Sequence, residues 1–232
     1  MNDTEKRRAK RQQKAGKSYR TTDLGNGMVQ ATPEAVLRAM GGLPPDLEWP
    51  VMAPNVIPIL PRRRPMPPQA GEPFRVMLPP GVPTGFGIDI GPAFLVVGES
   101  LLGTWPIGPA DLVATALDNL RARMRRIRPR DLVPQSLDGI PVRVLQSGVG
   151  CASALVLVPD ELRRIFGPEA QCLIAPMRDI LISLPPDADR AFVAWINDEF
   201  AEMDPNGLAL DAFVLDEGGL RYEALRSPMR MT

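Results

Sequence analysis

The chain has 232 residues, a formal net charge of zero, 44% hydrophobic and only 5% aromatic residues, enough apolar material for one sizeable core built from aliphatic side chains rather than rings. It contains no histidine, which excludes Ser-His-Asp triads, Cys-His pairs and HExxH zinc sites and leaves carboxylates, Arg, Cys and Tyr for any chemistry. Its two cysteines, Cys151 and Cys172, lack metal-ligand spacing, and no apolar run approaches the ~18 residues of a membrane span, so the expectation is a cytoplasmic protein with reduced thiols and no cofactor.

The zero net charge conceals an asymmetry. Residues 1–20 carry Lys6, Arg7, Arg8, Lys10, Arg11, Lys14, Lys17 and Arg20 against only Asp3 and Glu5, and every lysine of the chain lies there. Residues 1–22 have no apolar periodicity and read as a disordered basic tail. Residues 32–40 read as a short helix, with Thr32 as N-cap, Pro33 at the first helical position, and Gly41-Gly42 as its stop. Seventeen of the 27 prolines fall between Pro33 and Pro109, so Leu43 to Pro83 reads as a proline-rich linker with extended geometry. The domain expectation is therefore a tail over 1–22, a short helix and linker over 23–84, and a folded body over 85–232.

Residues 86–90 and 93–100 read as strands joined by Gly91-Pro92. Pro109 to about Arg126 is the clearest helix, with Leu112, Val113, Ala116, Leu117, Leu120, Met124 and Ile127 at helical spacing. Residues 141–147 alternate as a strand. The apolar run 151–158 fits helix or strand alike, and a short helix follows from Pro159 to Phe166. Residues 172–176 and 179–184 form either one bent strand or a hairpin around Met177-Arg178. A second strong helix follows Pro185-Pro186, with Asp187 as cap and an apolar stripe of Phe192, Val193, Ile196, Phe200 and Met203. Residues 210–216 and 220–225 close the chain as a hairpin around Glu217-Gly218-Gly219. This irregular alternation, with at least two hairpins, predicts an α+β fold: a mostly antiparallel sheet with helices packed on one face.

Candidate functional residues are few. Arg178-Asp179, between two apolar strands, either closes a turn or orients a ligand carboxylate or phosphate. Arg121, Arg125 and Arg128 share one helix face, as a solvated stripe or as a patch for an anionic partner. Lys6, Arg7, Arg8, Lys10, Arg11, Lys14 and Lys17 suit a polyanion such as nucleic acid, with binding that weakens in salt. Cys151 could serve as a nucleophile, although without histidine its thiolate needs an arginine or helix N-terminus, and a small buried apolar group is the plainer role for it and for Cys172. Gly148-Val149-Gly150 before Cys151 resembles a broken dinucleotide loop, with Ser153 where a third glycine belongs. Asp89, Glu99, Asp198, Glu199, Glu202 and Asp204 are carboxylates for a metal or an acid–base pair, but their spacing matches no ligand loop, and the expected metal is none.

From "GCASALVLVPDELRRIF" (150–166) through "CLIAPMRDILISL" (172–184) to "LDAFVLDEGGLRYEAL" (210–225), the second half resembles uncharacterised bacterial proteins related to the YtpQ-like family of unknown function. The shared motif stands here as Pro176, Met177, Arg178, Asp179, Ile180 and Leu181. The resemblance covers residues 90–225 and implies a shared α+β fold, with no catalytic residues to carry over. The expectation is a non-enzymatic interaction protein or adaptor with a protein partner. A nucleic-acid-associated protein using the tail and a metal-dependent hydrolase or transferase using carboxylates are the alternatives.

Overall fold

The computed structural model describes residues 33–43, 46–64, 72–91, 93–146, 150–204 and 206–225. The tail residues Lys6, Arg7, Arg8, Lys10, Arg11, Lys14 and Lys17 lie outside the described residues, as do Thr32, Gly148 and Val149.

Helix α1 runs Pro33–Gly41 and α2 Trp49–Met52, followed by a 3-10 turn at Ala53–Asn55. Four strands come next: β1 Val56–Ile59, β2 Arg75–Leu78, β3 Val82–Asp89 and β4 Phe94–Val96. They form one antiparallel sheet in which β1 lines one edge of β3, while β2 and β4 share the other. The stretch expected to be a linker, 43–83, therefore holds two strands, and a boundary at 85 would cut β3 in two. Proline density masked the pattern. Pro58 is tolerated because β1 is an edge strand with a ladder on one side only, and Val56 and Ile57 are fully buried.

Helices α3, Glu99–Thr104, and α4, Pro109–Met124, follow. Asp111 closes the first turn of α4 by accepting the Gly108 N–H at 3.0 Å, and Pro109 occupies a position whose N–H would otherwise have no partner. Strands β5, Leu132–Leu137, β6, Ile140–Gln146, β7, Gln171–Met177, β8, Ile180–Leu184, β9, Ala212–Asp216, and β10, Gly219–Glu223, make a second sheet in the order β10-β9-β7-β8-β6-β5. Every pairing in it is antiparallel. The α+β class expected from the sequence is the class observed.

The helices cover this second sheet on both faces, not one. Residues Gln171 to Pro176 of β7 and all of β8 are buried, and a strand apolar on both sides needs cover on both. Cys172, Ile174, Ile180 and Ile182 face α6, Arg190–Met203. Leu173, Ala175, Leu181 and Phe213 face α5, Pro159–Phe166, and a 3-10 segment, Ala152–Leu157. The run 151–158 is thus neither strand nor α-helix but a tight, wholly buried turn of helix. With an all-antiparallel sheet around it, the dinucleotide-loop resemblance at 148–153 has no βαβ unit to sit in.

Helix α4 joins the two sheets. Leu112 and Ala116 pack with Val56, Phe86 and Ile88 of the first sheet, whereas Leu120 and Met124 enter the core of the second. Asn119, between those pairs, donates to the Ala53 carbonyl at 2.7 Å and the Val56 carbonyl at 2.9 Å, satisfying backbone acceptors at the open edge of β1. Arg164 of α5 in turn donates to the Met124 and Ile127 carbonyls, a cationic cap on the negative end of α4. In α6 the cap is Asp189, which accepts the Phe192 N–H at 2.9 Å. Asp187 is not the cap because residues 185–188 form a turn of their own, Ala188 N–H bonding Pro185 O. Met203, expected in the buried stripe of α6, is 74% exposed at the end of the helix.

Candidate functional site

A bulge brings the two sheets together. The register between β7 and β8 shifts between Ile174 and Met177, at a residue, Pro176, that has no N–H to pair. The Pro176 carbonyl instead accepts the N–H of Leu208 at 2.8 Å. On its other side the 207–209 segment bonds the end of β1: Arg63 N–H reaches Gly207 O, Ala209 N–H reaches Pro61 O, and Arg62 and Leu208 form a bridge. One short segment therefore ties β1 of the first sheet to β7 of the second.

Beside this tie lies a small cavity of about 30 Å³. Its walls come from five separate parts of the chain, with Ile59, Arg62, Phe94, Cys151, Ser153 and Arg178 among them. Arg178 is on the turn between β7 and β8, which is a hairpin and not a bent strand. Its carbonyl accepts both the N–H of Ser153, at 3.1 Å, and the Ser153 hydroxyl, at 2.7 Å. Asp179, almost fully buried, accepts the Ala152 N–H at 3.0 Å. The turn is pinned to the 3-10 segment at three points, so the guanidinium starts from a fixed base. That guanidinium lies over the Phe94 ring, 4.5 Å from its centroid, a cation–π contact. Phe94 packs close over Gly87, which lies diagonally across the ladder and has no side chain: a Cβ there would meet Phe94 and Ile59 at 3.2 Å each.

The remaining chemistry at the junction is quiet. Cys151 is 2% exposed, and burial, opposed by the charge of Arg123 and reinforced by that of Asp179, pushes its thiol up to about 12. Burial also raises Cys172, and the two cysteines form no disulfide. A thiol in that state is a packing group, since the thiolate is the nucleophile. Arg62 is lowered from the usual arginine value, chiefly by burial and next by the charge of Arg178, with Asp204 opposing.

No family model, curated protein or solved structure matches this chain.

The other residues nominated by the sequence lie elsewhere. Arg121 pairs with Asp118 at 2.9 Å and Arg125 reaches Glu161 at 3.8 Å, while Arg128 is exposed; none of the three lines the cavity. Asp89 pairs with Arg123 and Asp198 with Arg63, and Asp204 accepts the Asn206 N–H. Among the described residues no three carboxylates or thiols gather as a metal ligand set, and no helix is long and apolar enough to cross a membrane. Sequence reasoning found Arg178, Asp179 and Cys151 but missed Arg62, Phe94 and Asn206. Arg62 sits in Arg62-Arg63-Arg64 among prolines, and only the unrecognised strand β1 could have flagged it.

Proposed function

We propose that this protein acts by binding and not by catalysis: it is an adaptor whose rigid body holds a protein partner at the sheet junction. The supporting observation is the fate of the reactive groups there. Cys151 is held as a thiol, Asp179 and Ser153 are spent fixing the turn, and what faces the cavity is guanidinium, which stays protonated and grips anions. Capture of a partner on full-length protein, compared with Arg178→Gln, tests this. The wild type retains the partner and the variant loses most of it. Equal retention removes Arg178 from the interface, and turnover of an ester or phosphoester that Cys151→Ala abolishes ends the adaptor reading.

A second reading, association with nucleic acid, is favoured by Arg126, Arg128 and Arg130. All three are exposed near the end of α4, and among the described residues none has a carboxylate within ion-pair distance. Changing them to Gln lowers the slope of log affinity against log salt by about one for each phosphate no longer neutralised. An unchanged slope with the three replaced rejects this patch.

A further inference from the structure

The cavity at the sheet junction has a composition that follows from neither sheet alone. Two arginines line it, Arg62 beyond the end of β1 and Arg178 on the β7–β8 turn. Among the described residues neither has a carboxylate within ion-pair distance. Their mutual influence is repulsive; Arg62 is exposed and Arg178 half-buried, so solvent screens part of that repulsion and an anion between them would relieve the rest. The fold nevertheless holds them there, by the Phe94 ring under Arg178 and by the backbone bonds either side of Arg62. Asn206, the only side-chain amide among the described residues at the cavity wall, donates one amide N–H to Asp204 at 3.3 Å and has a second to offer; Asp204 lies near Arg62 and offsets part of the charge without lining the cavity.

Size and wall chemistry narrow the anion. The space of about 30 Å³ compares with the roughly 10–15 Å³ that one enclosed water needs. It fits a two-oxygen head and little more. Ile59, Leu60, Phe94, Ala154 and Leu208 make the rest of the wall apolar. A tetrahedral phosphate is bulkier than that space, and its further oxygens would face the apolar wall without donors. A carboxylate presents two oxygens in one plane, which matches the guanidinium fork. We propose that the sheet junction is a carboxylate-binding site in which Arg62 and Arg178 hold the two oxygens and Asn206 donates to one of them. The proposal rests on the reading of the junction as a binding surface and names what is bound there. The carboxylate belongs either to a free small acid or to the chain terminus of a protein partner.

The test follows the arginine side-chain N–H signals of isotope-labelled full-length protein during titration at constant ionic strength. The probes are acetate, inorganic phosphate, N-acetylleucine and N-acetylleucinamide. Acetate moves the Arg62 and Arg178 signals saturably, and phosphate does not. Arg178→Lys, which keeps the charge and loses the fork, weakens acetate by about tenfold or more, as does Arg62→Gln, whereas Arg64→Gln has no effect. Because Arg178→Lys preserves charge and length, its folded state is checked by its unchanged backbone spectrum. N-acetylleucine binding more tightly than acetate, with the amide inert, assigns the carboxylate to a protein terminus; equal binding of the two acids assigns it to a free acid. The proposal is overturned by an absence of saturable acetate binding, by phosphate binding in its place, or by the amide matching the acid. If acetate fails while partner capture still depends on Arg178, the carboxylate chemistry falls and the adaptor reading stands. If capture is independent of Arg178 while acetate binds, the reverse holds.

Discussion

Gly207 decides how the junction closes. A Cβ at this position would fall onto the carbonyl of Ala201, in the last turn of α6, and backbone cannot swing aside as a flexible side chain can. Its own carbonyl is already engaged by Arg63. Gly207→Ala should therefore destabilise by about 1–3 kcal/mol, the usual cost of inserted bulk, seen as a lower urea midpoint at constant m-value. The sequence shows Gly207 only as the end of Asp-Pro-Asn-Gly, a stop for the preceding helix. Nothing local reveals that the stop must also admit a neighbouring carbonyl. Gly87 is a similar case: it reads as a strand glycine, and its reason, room for Phe94 beneath Arg178, depends on a residue brought in by β4.

Among the elements, α4 carries the most consequence. Its boundaries and apolar face were legible because sixteen residues at 3.6 periodicity outweigh local ambiguity. The task of its polar Asn119 was not, since the acceptors belong to a segment that reads as linker. Replacing Asn119 with Ala leaves the Ala53 and Val56 carbonyls without their side-chain donor. The expected cost is about 1–3 kcal/mol, and hydrogen exchange should quicken in β1 and the adjoining part of β3 while β7 and β8 keep their protection. Uniform quickening would mean that the bond supports the whole fold and not one edge. The β7–β8 hairpin shows the opposite balance. Its strands were plain from their aliphatic runs, yet the choice between hairpin and bent strand was open, because the bulge at Pro176 is defined by what Leu208 does to its carbonyl.

For the whole molecule, alkaline pH is a sharp probe because the body has so few groups that titrate there. Every lysine lies in the first twenty residues. Among the described residues the groups besides arginine that ionise at high pH are Cys151, Cys172 and Tyr222, and burial raises all three. Their signs add. Each is neutral in both folded and unfolded chains below the unfolded value, so stability is fully present there. As pH rises past that value the unfolded chain gives up its protons first, and stability is lost up to the folded values, which for Cys151 means from its ordinary 9.0 toward about 12. Urea midpoints measured from about pH 8 to about pH 11 should fall, and Cys151→Ala should make that fall shallower whatever it does to the level at neutral pH. A slope unaltered by the substitution would show that Cys151 is not protected from ionising. The α+β class was legible at this scale, from two late hairpins and two long amphipathic helices. The extent of the fold was not, because a proline-rich composition does not distinguish a free linker from edge strands held by a neighbouring sheet.

The short segment at Leu208 has a mechanical meaning. Hydrogen bonds to Pro61 on one side and Pro176 on the other hold the opposing walls of the cavity at a separation written in main chain, which side-chain rotation cannot widen. The recess then behaves as a fixed-gap gauge: a guest is admitted by its thickness, and anything broader must break the seam between the sheets before it can enter.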